Sequence, residues 1–89
     1  MLLRLKIHGR VQAVCLRSQT SKRASELQLS GWVKNLSDGT VEILAQGAKD
    51  DLAELLNWIK LSPGRSQVSK IEEEWTDREK DIKGFAVKY

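Results

Sequence analysis

Leu52, Leu55, Leu56 and Ile59 fall at i, i+3, i+4 and i+7, one face of a helix, which predicts a helix over residues 49–61. Asp50 and Asp51 near its start and Lys60 near its end suit the helix dipole, and Ser62-Pro63-Gly64 stops it. Thr20, Ala24 and Leu27 also recur at helical spacing, with Ser18, Lys22, Arg23 and Glu26 on other faces. They predict an earlier helix that begins beyond Arg17 and ends near Gln28. Residues 2–7 alternate loosely between apolar and basic, a strand that Gly9 interrupts to open a loop. Residues 31–36 and 40–46 are β-rich runs separated by Ser37-Asp38-Gly39, and Asp-Gly at that point signals a hairpin. Residues 68–75 read as a fourth strand and residues 85–89 as a short final one.

The order is βαββαβ plus a terminal strand. Each helix has one apolar stripe to bury, and two helices on one mostly antiparallel sheet bury both stripes against one sheet face. The expected fold class is α+β, a ferredoxin-like open sandwich. At 89 residues the chain suits a single domain over residues 1–89. The acidic run Glu72, Glu73, Glu74 and the polar residues 77–83 read as a solvated strand face and a loop.

Composition adds little until charge is placed along the chain. With 40% hydrophobic and 30% charged residues the sequence is that of an ordinary globular protein. Arg4 and Lys6 break up the opening MLLRLKI, so it does not read as a secretory signal, and no run approaches membrane-spanning length. Cys15 is the only cysteine and has no disulfide partner within the chain, which suits a reducing compartment and points to a cytoplasmic protein. His8 and Cys15 are the only soft ligands, with no paired spacing, so neither a metal nor a cofactor is expected. The net charge of +3 divides unevenly: residues 1–34 hold seven Lys or Arg against Glu26 alone, and residues 35–89 hold eight against eleven acids. The basic half favours an anionic ligand, although scattered solvated charge accounts for the same count.

The segment GRVQAVCLR, residues 9–17, lies between a strand and a helix, so its amides and the free amides of the helix start can face one concavity. Arg17 adds a planar, permanently charged fork able to hold two oxygens of one phosphoryl group. A cation at a helix start opposes the dipole, which a bound anion would explain. The loop has one glycine and neither the dinucleotide-binding nor the nucleotide-binding lysine pattern, so these residues leave both an anion site and a plain surface arginine open. Asn35 by itself reads equally well as the start of the turn into Ser37. Cys15 reads as a buried or half-buried filler, having no histidine or second cysteine placed to activate it. His8 reads as a polar residue at a strand end, and Trp32, Trp58 and Trp75 as packing residues.

Taken in order, GRVQAVCLR, SGWVKN, SDGTVEILAQG, SPGRSQV and FAVKY resemble the acylphosphatase family over nearly the whole chain. The resemblance implies a small ferredoxin-like enzyme that hydrolyses the carboxyl-phosphate bond of acyl phosphates without a metal. It implies that Arg17 binds the phosphoryl group and that Asn35 orients the water. The backbone of Arg10, Val11, Gln12, Ala13, Val14 and Cys15 then forms the phosphate cradle. Such a site needs few side chains, because the leaving carboxylate has a conjugate acid of pKa about 4 to 5 and departs unprotonated. The implied ligands are a small-molecule acyl phosphate and the product inorganic phosphate, handled by a monomer.

Two positions depart from the family pattern. Ala13 stands where a glycine is common, and Leu16 where an aromatic is common. A left-handed backbone at Ala13 adds on the order of 1 to 2 kcal/mol of strain, and a negative φ adds little. Leu16 keeps a packing role, so activity is expected to be reduced more than lost. One rival is an anion-binding domain without turnover. Another is a nucleic-acid module, which needs aromatic platforms that LLRLKI and TVEILAQG lack, so no nucleic-acid partner and no membrane partner are expected.

Overall fold

The computed structural model describes residues 1–12 and 15–89, which form in order β1 (Leu2–Arg10), α1 (Leu16–Glu26), β2 (Ser30–Asn35), β3 (Val41–Gln46), α2 (Lys49–Lys60), β4 (Gln67–Thr76) and β5 (Phe85–Lys88). The strands make one sheet in the order β4-β1-β3-β2-β5, antiparallel except where β5 runs parallel to β2. This is the expected ferredoxin-like arrangement. The α1 crossover joins β1 to β2, leaving room for β3 between them.

Alternation decides which sheet face is covered. Leu3, Leu5 and Ile7 of β1 stand opposite Ala45, Ile43 and Val41 of β3, and all six are fully buried. Leu52, Leu55, Leu56 and Ile59 of α2 and Leu16, Thr20 and Ala24 of α1 are buried too. The apolar members of both sets belong to the same core cluster as the strand residues. Each large aliphatic side chain so buried contributes roughly 1.5 to 3 kcal/mol relative to exposure. On the opposite face Lys6 lies between Glu42 and Glu72, so the sheet meets solvent with paired charges.

Two local readings are corrected. Gly9 does not end the first strand: β1 continues through Arg10, and the register shifts between His8 and Gly9. At φ 125° a Cβ on Gly9 would lie 2.0 Å from the Gln67 carbonyl, so the glycine lets β4 approach and bulge instead of releasing the chain. The first helix also starts at Leu16, before the predicted position, which puts Arg17 in its first turn.

The predicted hairpin is closed by Leu36 N–H donating to the Thr40 carbonyl at 2.8 Å, with Gly39 at φ 90°. Asp38 accepts from the Thr40 amide and hydroxyl and pairs with Lys6 at 3.0 Å, anchoring the turn to β1. Those hydrogen bonds, from the Thr40 hydroxyl first and then its amide, hold the Asp38 carboxyl well below the usual carboxylate range, and Lys6 adds to the shift. Asp38 in turn raises the pKa of the Lys6 ammonium.

Candidate active site

Three elements meet at one edge of the core. β1 delivers the chain to Val11, which is buried, and α1 begins after Cys15. Cys15 adopts φ 62° and ψ 18°, a left-handed conformation that costs a non-glycine residue about 1 to 2 kcal/mol. No side chain caps this helix end among the described residues, and its first regular bond is Gln19 N–H to the Cys15 carbonyl at 3.1 Å. The preceding amides of the first turn are therefore donors without an intrahelical acceptor. Leu16 is 1% exposed and pins the helix start to the core.

Asn35 ends β2 opposite Val41 of β3, which itself lies opposite Ile7 of β1. It has the same strand parity as buried Val33, which places it on the helix-covered face. Its Oδ1 is buried and has no hydrogen-bond partner among the described residues. A buried carbonyl in that state is poised to accept from a ligand or water.

Arg17 and Asn35 line the same pocket, of about 340 Å³, and Cys15 and Ser18 complete its polar side. Val11, Leu16, Val87 and Tyr89 form the apolar side. Arg17 is the only formally charged side chain among the described lining residues. Its Nη1 donates to the Lys88 carbonyl at 3.0 Å, and its guanidinium carbon lies 4.7 Å from the centre of the Tyr89 ring. One edge of the fork is thus held by β5 and the adjoining residue, leaving other N–H groups for an anion.

The six proposed cradle residues are not all brought to the pocket. Val11 and Cys15 line it, whereas Arg10 is exposed at the end of β1 and paired with Gln67. Gln12 acts through its side chain: Nε2 donates to the Leu36 and Thr40 carbonyls, both at 2.8 Å, tying the loop to the hairpin that carries Asn35. Ala13 and Val14 lie outside the described residues, so the question of a left-handed Ala13 lies outside them too. Cys15 is exposed and borders the pocket, which corrects its reading as a buried filler. Leu16, not Cys15, takes the inward position at this turn. Sequence reasoning missed the Gln12 side chain and Tyr89, because their partners are 24 or more positions away. Among the described residues no three His, Cys, Asp or Glu side chains gather into a metal-binding group, and no helix is long and apolar enough to cross a membrane.

Comparison with known proteins places this geometry in context. The acylphosphatase family model matches residues 3–87. The chain is 42% identical to an acylphosphatase of Chloroflexus aurantiacus, over 80% of this chain and 77% of that one. It is 39% identical to the Thermococcus kodakarensis acylphosphatase, over 93% and 90%. The crystal structure of acylphosphatase from Bacillus subtilis superposes with a TM-score of 0.95 at 34% identity, covering all of both chains.

Proposed function

The chain belongs to the acylphosphatase family and has its enzymatic function, and on that premise we propose that Arg17 and Asn35 divide the work of hydrolysing an acyl phosphate between them. The observation that carries the reading is that Asn35, whose Oδ1 has no partner among the described residues, lines the same pocket as Arg17. Arg17 and the open amides of the α1 start bind the phosphoryl oxygens, a planar cation and aligned dipoles acting on one anion. Asn35 Oδ1 accepts a hydrogen bond from a water and turns its lone pair toward phosphorus, in line with the bond to the acyl oxygen.

The water oxygen bonds to phosphorus as the bond from phosphorus to the acyl oxygen breaks. The carboxylate leaves with the bonding electron pair, and the water's proton passes to a phosphoryl oxygen of the substrate. The products are a carboxylate and inorganic phosphate. Protonation of the leaving group is unnecessary because its conjugate acid is already ionised at neutral pH, so positioning and charge neutralisation supply the catalysis. In this reading the loop backbone from Val11 to Cys15, without Arg10, completes the cradle. We read the enzyme as a monomer acting on a small molecule, and its lone cysteine suits the cytoplasm.

Hydrolysis of benzoyl phosphate in heavy-oxygen water tests the bond assignment. The label is expected in inorganic phosphate. Label in benzoate instead would mean attack at the acyl carbon and would overturn the role given to Asn35.

A further inference from the structure

The pocket that Arg17 and Asn35 line also has apolar walls. Of its apolar lining, Val11 and Leu16 are buried, Val87 is half-buried and Tyr89 is fully exposed. A phosphoryl group on Arg17 has charged and polar neighbours, whereas whatever is attached to it runs along aliphatic wall and an aromatic face. The Tyr89 ring also lies 4.7 Å from the Arg17 guanidinium, a cation–π contact that draws it to the pocket. A ring drawn there and left bare to solvent gains from being covered, and only a broad apolar group covers much of it.

We propose that Tyr89 is the specificity-determining residue for the acyl end of the substrate, selecting acyl phosphates with an aromatic acyl group over the small acetyl group. Val87 extends the same wall inward, because β5 runs parallel to β2 with Val87 opposite Val33 and its side chain on the covered face. Lys88, between them, points the other way, with Nζ 4.6 Å from the Trp32 ring, so its charge stays out of the acyl path. This assignment rests on the acyl phosphate reading of the pocket and adds which acyl phosphates it takes. At about 25 cal/mol per Å² of apolar surface, a phenyl ring covering about 50 Å² of this wall gains about tenfold in kcat/KM over acetyl.

The test is the ratio of kcat/KM for benzoyl phosphate to that for acetyl phosphate in the wild type, Tyr89→Ala and Tyr89→Phe. Tyr89→Ala is expected to lower the ratio about tenfold, and Tyr89→Phe to keep it, since the face and not the hydroxyl makes the contact. Because Tyr89 also lies on Arg17, the alanine variant can slow both substrates. A common slowing with an unchanged ratio would show that Tyr89 only steadies Arg17 and would overturn the proposal. Absence of turnover of either substrate by the wild type is a different result, which would overturn the reaction itself and this assignment with it.

Discussion

Replacing Gln12 by methionine keeps the length of the side chain and removes the two donors that join the β1–α1 loop to the β2–β3 hairpin. The acceptors are not orphaned: the Leu36 carbonyl still receives Gly39 N–H at 3.2 Å, and the Thr40 carbonyl still receives Leu36 N–H at 2.8 Å. The loss is therefore two neutral hydrogen bonds without a full desolvation penalty, about 1 to 3 kcal/mol in total at about 0.5 to 1.5 each. For a domain of this size, a central value of about 2 kcal/mol lowers Tm by about 8 to 16 °C. Urea unfolding followed by tryptophan fluorescence measures the loss, with an unchanged m-value showing that the denatured state is unaltered. The same variant should lose up to about 10² in kcat/KM, because Arg17 and Asn35 sit on the two pieces that Gln12 joins. A stability loss under about 0.5 kcal/mol with unchanged kcat/KM would show that Gln12 does not hold the loop to the hairpin.

Asp38→Asn should destabilise the protein at neutral pH, and the gap to wild type should close in acid. The folded-state pKa of Asp38 is depressed, so its contribution is full above the unfolded value of about 3.9 and is lost as pH falls from there toward the folded value. Urea midpoints of both proteins across the acid range check this, and a gap that widens in acid contradicts it. Gly9→Ala should cost about 2 to 4 kcal/mol, because the new Cβ meets the Gln67 carbonyl at 2.0 Å and the backbone sits at φ 125°. Its thermal midpoint reads the effect directly. Asn35→Ala should lower kcat by roughly 10² to 10³ while inorganic phosphate still inhibits competitively, since Arg17 remains to bind it. Steady-state kinetics with phosphate as inhibitor separates the two.

The elements read best from the sequence are those whose signal is local. The leucine and isoleucine stripe of α2 and the Asp38-Gly39 turn each lie within a few residues of what they determine. Gly9 was misread because its meaning lies across the sheet: it looks like a strand breaker until the Gln67 carbonyl appears beside it. Cys15 was misread for the opposite reason, since the left-handed turn that exposes it is not encoded by a glycine there. Arg17 and Asn35 were singled out through the family motifs, and the fold brings both to one pocket. The contacts that hold the site together join Gln12 to Leu36 and Thr40, and Arg17 to Lys88 and Tyr89, and no periodicity announces them.

In the proposed reaction the Arg17 guanidinium, in the same pocket as Asn35, neutralises the phosphoryl group during its transfer to water. Turnover of benzoyl phosphate by Arg17→Ala, with its fold verified by circular dichroism, tests this most directly. A loss of roughly 10² to 10³ in rate relative to wild type is expected. Wild-type turnover by the folded variant would contradict it.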